Sequence, residues 1–329
     1  MKNFIFLYNG RSALNYALDK IDFKSKDEIL YPEFSCDVIF QFKPKTNYNY
    51  KFYKTKNNFH LSFNLLKKRI TKKTKVIIVI NFFGIRQNLK KLYKFCKMKK
   101  ILLIVDDCHT FYNLKKSSSN DCDLKFFSPS KIFDKILIGG ILQINNKSIN
   151  LEEPYFLPSK LSVNFMKLLK KKLKSFLLYE KIKFLKKRPL FEDENFFESK
   201  FIVKKDRLDN FIVNQIKSIN SSKERKIRLK NFKYWKRICK KINIKPLLKL
   251  NHVNHGCPLY FPALCKSKNQ ATQMFDIGWK NKIEVVSWPT LHPLQRKNKR
   301  LMSYWKKIVY FPMNKKYFNN KSFVKNCLN

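Results

Sequence analysis

Two short apolar runs, residues 76–80 (VIIVI) and 101–105 (ILLIV), constrain the fold more than any other feature of this chain. Neither alternates with polar residues, so each reads as a strand buried on both faces rather than one lying half in water. Residues 89–98 between them carry the spacing of an amphipathic helix. Buried strands separated by helices imply an α/β fold, a mostly parallel sheet covered by helices on both sides. Residues 28–31 (EILY), stopped by Pro32, read as a further strand, and 126–127 and 136–144 (ILIGGILQI) as two more around a turn. Residues 12–21 (SALNYALDKI) place Ala13, Leu14, Ala17, Leu18 and Ile21 on one helical face, with Ser12 at its start.

From about residue 151 the pattern changes. Residues 160–190 carry Lys, Leu and Phe at helical spacing, and 222–241 (SKERKIRLKNFKYWKRICKK) read as another helix. The last hundred residues hold shorter segments (CPLYFPAL, NQATQMFDIGWKN, IEVVSWP and KIVYFP) that suit a smaller α+β unit. The expected organisation is a large domain over 1–220, with a helical connection from about 151, and a small domain over 221–329. No internal repeat or low-complexity linker interrupts it. No apolar run approaches the ~20 residues of a membrane span. The first residues lack the apolar core and small-residue cleavage site of a signal peptide, so the expected location is the cytoplasm.

The 329 residues include 71 Lys+Arg against 23 Asp+Glu, a formal charge of +48. Hydrophobic residues at 44% and aromatics at 15% exclude a disordered polycation. Binding to nucleic acid is not the expected use of this charge. Only ten of the basic residues are Arg, whereas bidentate recognition of phosphate or guanine favours Arg, and the Lys excess runs along the whole chain. Solvated Lys-rich faces account for it, leaving a field that draws in anionic ligands such as nucleotide diphosphates. The eight cysteines form no CxxC pair, and scattered thiols fit a reducing compartment. The one close histidine pair, His252 and His255 near Cys257, lacks the spacing of a metal site, and no metal is expected.

Three places carry candidate chemistry. Asn9-Gly10-Arg11-Ser12-Ala13 stands directly before a helix, where the N–H groups of the first turn favour an anion. Asp106 and Asp107 follow a buried strand, at the sheet edge where open α/β folds bind ligands. A carboxylate there serves a cationic ring nitrogen, a metal or a ribose, or else caps a helix. Lys131 follows a strand end and a Ser-Pro-Ser turn and precedes a glycine pair, a setting that suits a partly desolvated, Schiff-base lysine.

In order along the chain, NGRSAL (9–14), YPEFSC (31–36), INFFGIRQNL (80–89), VDDCHTF (105–111) and FFSPSK…GG (126–140) resemble the DegT/DnrJ/EryC1/StrS family. ERKIRLKNFKYW (224–235) resembles that family's Arg-Asn-Tyr helix, and SWPTL and KKIVYFPMN resemble parts of its C-terminal domain. The resemblance implies a fold type I enzyme that uses pyridoxal 5′-phosphate (PLP) to transfer an amino group, usually from glutamate, to a nucleotide-linked keto sugar. A homodimer with sites near the subunit interface, and a role in surface polysaccharide or amino-sugar synthesis, come with it. Lys131 matches the Schiff-base lysine, and Asp106 the carboxylate on the pyridine nitrogen, with Asp107 the competing assignment. His109 lies beside the cofactor. Gly10, Arg11, Ser12 and Ala13 match the phosphate turn, Ser128 a phosphate-contacting serine, and Phe82 or Phe83 an aromatic face for the ring.

The departures concern the substrate. Leu-Ile-Gly-Gly at 137–140 lacks a carboxylate usual in the family, the turn before Lys131 is shorter than in many members, and the N-terminal arm is reduced. A lysine at 131 argues against the family's dehydrase branch, which has histidine there. A divergent or inactive relative acting on another carbonyl, or a basic nucleic-acid-binding protein, are the alternative readings.

Overall fold

The two apolar runs become adjacent parallel strands at the centre of a seven-stranded sheet. The computed structural model describes residues 3–40, 48–111, 121–133, 136, 138–149, 151, 152, 154, 191, 207–253, 256–287, 291–314 and 321–328. The strands are β1 (Phe4–Leu7), β2 (Glu28–Pro32), β3 (Asn49–Tyr53), β4 (Thr74–Ile80), β5 (Leu102–Asp106), β6 (Leu124–Phe127) and β7 (Gly140–Ile144). They lie in the order β1-β7-β6-β5-β4-β2-β3. Neighbours from β3 to β6 pair in parallel, and β7 runs antiparallel to both β6 and β1.

Successive side chains of a strand point to opposite faces, and both faces are dry at the centre of this sheet. Val76 and Ile78 of β4 join Ala13, Leu14, Ala17 and Leu18 of α1 (Gly10–Asp19). Ile77 and Val79 meet Leu92 and Cys96 of α3 (Lys90–Met98) on the other side. A short α2 (Phe63–Lys67) adds Leu66 to that second layer. The unbroken apolar pattern of β4 and β5 is the direct consequence of this double burial.

A second sheet of three antiparallel strands, in the order β10-β9-β8, is built from β8 (Lys245–Pro246), β9 (Tyr260–Leu264) and β10 (Ile308–Pro312). Helix α5 (Asn210–Lys217) packs Ile212, Val213 and Ile216 with Phe6, Phe127 and Ile141 of the large sheet. Around the small sheet lie α6 (Ser221–Lys241), α7 (Leu250–Val253), α8 (Lys268–Lys280), α9 (Pro293–Arg296), α10 (Lys299–Trp305) and α11 (Lys321–Leu328). Helix α6 is fastened to β10 by Trp235. Its ring stacks on Phe311 at 4.5 Å, and its Nε1–H donates to the Pro312 carbonyl at 2.8 Å.

Several expectations need correction. Helix α1 begins at Gly10 rather than Ser12, because the Asn9 side chain is the cap: its Oδ1 accepts the Ser12 N–H at 2.8 Å. Strands β1 and β3 were not expected; β1 is only four residues long, and Asn49 and Tyr50 at the edge are exposed, so neither shows a buried periodicity. Residues 136, 138 and 139 do not belong to a strand, and β7 starts at Gly140. The IEVVSWP segment contributes a single bridge, Val286 to Tyr310, rather than a strand. The helix expected over 160–190 lies outside the described residues.

At Gly140 a side chain has no room, because a Cβ there would run into the Asn9 backbone carbonyl. Gly140→Ala must therefore push β7 away from the turn that opens α1. We expect it to cost about 3 kcal/mol, read as a lower urea midpoint with an unchanged slope. An unchanged midpoint would contradict the close approach.

Candidate active site

The carboxyl ends of β4, β5 and β6 bring the chemistry-bearing residues together, at the edge where a parallel sheet binds ligands. Asn81 follows β4, Asp106 ends β5 with Asp107, Cys108 and His109 after it, and Ser128 and Lys131 follow β6. Lys131 sits in the single turn α4 (Pro129–Ile132), which Ser128 precedes. The first turn of α1 closes the group: a Cβ on Gly10 would lie 2.6 Å from the Cys108 Sγ and 3.2 Å from the Ser128 Cβ. Glycine is required there by close approach rather than by an unusual φ.

Asp106 and Asp107 are both buried and face different partners. Asp106 accepts the Cys108 N–H at 2.8 Å. Burial pushes its carboxyl above the usual range, opposed by the positive charge of Lys131 and the Cys108 hydrogen bonds. Asp107 accepts from the Asn81 amide, and the Lys125 ammonium stands 3.7 Å away. Burial raises its carboxyl too, while Lys125, Asn81 and Arg86 pull it back.

His109 is buried, and its ring stacks on Phe83 with centroids 5.5 Å apart. Its Nδ1 accepts the Phe83 N–H at 3.4 Å, which leaves the proton of the neutral ring on Nε2. Burial first, and the charge of Lys131 second, hold this imidazole well below its ordinary pKa and hence neutral. Lys131 itself is exposed, and its charge acts on Asp106, Cys108 and His109 alike.

Among the other residues expected at the site, Ser128 is buried, with its hydroxyl 3.5 Å from that of Ser130. Arg11 is half-buried, at the front of α1. Ser12 and Ala13 are fully buried, and their N–H groups are spent inside the cap: Ser12 N–H on Asn9 Oδ1 and Ala13 N–H on the Asn9 carbonyl. Phe82 and Phe83 are likewise fully within the core. Phe83 lies between His109 and Tyr310, stacked on both, with φ at 54°. Its two faces are occupied.

Lys125, Asn81 and Cys108 were not picked out from the sequence. Lys125 carried a signal, a lone charge inside the apolar strand LKFF, but among so many lysines it does not stand out. Among the described residues no group of three or more His, Cys, Asp or Glu is placed to hold a metal ion; His255 and the side chain of His252 lie outside them. Among the described residues no helix is long and apolar enough to cross a membrane.

The same fold is found in solved structures of aminotransferases. Similar structures include a sugar aminotransferase of Streptococcus pneumoniae in its PMP form, with a TM-score of 0.66 and 14% identity over 99% of this chain and 86% of that one. PseC of Helicobacter pylori, an aminotransferase in the biosynthesis of pseudoaminic acid, matches with 0.63 and 16% over 99% and 85%. The E. coli GDP-4-keto-6-deoxy-D-mannose-3-dehydratase with bound hydrated PLP matches with 0.64 and 16% over 99% and 87%. No curated protein matches the chain by sequence. Residues 1–151 match the model of the DegT/DnrJ/EryC1/StrS aminotransferase family, which bears out the resemblance over the part of the chain that carries β1 to β7 and the site.

The raised carboxyl of Asp106 has a measurable sign. Its ionised form is disfavoured in the folded chain, so at neutral pH the protein is held back by that charge. Acidification through the folded pKa removes the handicap. Asp106→Asn is expected to melt higher than the wild type at pH 7, with the difference shrinking as the pH falls toward 4. A difference that grows on acidification would mean that Asp106 is stabilised as an anion.

Proposed function

We propose that the protein is a PLP-dependent aminotransferase that moves an amino group from an amino-acid donor, glutamate, to a nucleotide-linked keto sugar. The reading is carried by the meeting of a lysine amine, a buried carboxylate and a neutral imidazole at the strand ends, with the charge of Lys131 acting on both others. The donor set suits the cofactor. Asp106 is a buried acceptor whose raised carboxyl lacks enough positive charge around it, and a protonated ring nitrogen supplies that charge. When bound, PLP supplies the electron sink for the carbanion formed at the amino-acid Cα.

In this reading Asp106, rather than Asp107, keeps the proton on the ring nitrogen, because Asp107 is already committed to Asn81 and Lys125. Lys131 carries the cofactor and, once freed, moves a proton at the donor Cα. His109 stays neutral, so it adds no second cation beside that nitrogen. The Ser128 hydroxyl and the front of α1 at Gly10 and Arg11 receive the phosphate, at the end of the helix that favours an anion. Ser12 and Ala13 act by shaping that turn. Phe82 and Phe83 act by supporting His109 from the core.

A histidine-containing dehydrase is disfavoured by Lys131, although the E. coli dehydratase shares the fold. The net charge of +48 favours an anionic substrate such as a sugar nucleotide. We assign the enzyme to the cytoplasm, to amino-sugar or surface polysaccharide synthesis, and to a homodimer. We also place its domain boundary near residue 220.

The test is absorption of the purified protein with added PLP. The wild type is expected to gain a visible band that disappears on borohydride reduction, with the added mass mapped to Lys131, and Lys131→Ala to gain none. A wild type that takes up no PLP, or one that retains polynucleotide with steep salt dependence instead, would overturn the proposal.

A further inference from the structure

Arg228 of α6 is buried and spends its guanidinium on four acceptors from three parts of the chain. Its Nη2 donates to the Ile132 carbonyl at 2.7 Å. Its Nη1 donates to the carbonyls of Pro258 at 2.7 Å and Leu259 at 3.3 Å, and its Nε to Glu224 at 2.8 Å. Ile132 closes α4, directly after Lys131. The carbonyls at the end of so short a turn have no helical partner of their own. The Lys131 N–H already bonds to the Ser128 carbonyl at the front of the turn. Arg228 therefore holds the back of the turn whose front is held by Ser128.

The second branch reaches the other half of the site. The Leu259 N–H donates to the His109 carbonyl at 3.0 Å, and Pro258 packs against Gly84, where a Cβ would lie 3.2 Å from the Pro258 Cα. One planar group thus spans the turn bearing Lys131 and the segment that supports His109 and the Phe82–Gly84 turn. We infer that Arg228 is a positioning residue that fixes the Lys131 amine relative to Asp106 and His109. This rests on the proposed role of Lys131, but the placement of that side chain can be read separately.

Lysine cannot substitute, because a single ammonium lacks the planar fork that reaches Ile132 and Pro258 together. With Arg228→Ala, capture of PLP at Lys131 is expected to slow roughly 10- to 100-fold, the scale of a displacement of about 1 Å at a reacting group. Arg228→Lys is expected to slow it as well. Methylguanidinium added to Arg228→Ala should restore much of the rate, as ammonium should not. In parallel, competitive acetylation of the cofactor-free protein, read by mass on the Lys131 peptide against those of Lys90 and Lys91, should show a Lys131 pH profile displaced in both variants. In Arg228→Ala that profile should return with methylguanidinium.

A folded variant whose Lys131 acetylation profile is unchanged would overturn the inference, whatever happens to activity. Loss of folding in both variants would also overturn it, leaving Arg228 as a structural tie alone. If the wild type captures no PLP, the proposed function fails, and the acetylation arm still decides the placement of Lys131.

Discussion

Two adjacent carboxylates buried at the end of one strand set the terms for this structure. Neighbouring residues leaving a strand project to opposite sides, so Asp106 and Asp107 meet different surroundings, and the charge of Asp107 adds to the cost of ionising Asp106. Asp107 is met by Lys125, which pairs with Val105 in the β5–β6 register, and by Asn81, placed just beyond β4. Asp106 is met by the Cys108 N–H and the charge on the turn after β6. A slip of β6 by one residue would turn Lys125 to the other face and strand Asp107 without its cation. Breaking such a buried pair by removing one partner costs about 3–5 kcal/mol. The register of the central strands and the geometry of the site are therefore one constraint.

The asymmetry between the two carboxylates also separates support from chemistry. Asp107 is surrounded by fixed side chains within the sheet. Asp106 depends for its charge on a lysine that is exposed and at the end of a single helical turn. A group in that state is stabilised by a cation arriving from outside, which is what a protonated ring nitrogen would be. The same desolvation that lifts the carboxyl of Asp106 would strengthen such a pair once formed.

Much of this was legible in the sequence, and the gaps have physical causes. The buried strands β4 and β5 announced themselves by unbroken apolar runs, and Asp106 and Asp107 by following one of them, whereas His109 was singled out only through the family resemblance. Lys131 was readable from its turn and its order after the acid. Strands β1 and β3 were not, because a four-residue strand and a partly exposed edge strand carry no periodic signal. Ser12 was read as opening α1 because hydroxyl caps are common, yet Asn9 captures the Ser12 N–H first and shifts the start by two residues. Phe82 or Phe83 is expected to offer a face to a ring, with a core role for at least one of them. Which aromatics a second sheet will cover depends on contacts with Tyr310 and Phe59, far away in sequence, and no local pattern reports those.

The composition of the chain sharpens the case of Arg228. With 71 basic residues and only ten of them arginine, most cationic positions here need no more than a solvated charge. The interior of α6 is different. Four bonds radiate from one planar group to a carboxylate and three carbonyls, and water does not reach it to make up for a missing donor. An ammonium satisfies a point, whereas this junction is a plane with acceptors on separate sides. Arginine at 228 is thus required by geometry. Since one of those acceptors is the carbonyl next to Lys131, a demand that looks like packing inside α6 becomes a demand on where the amine of Lys131 can stand.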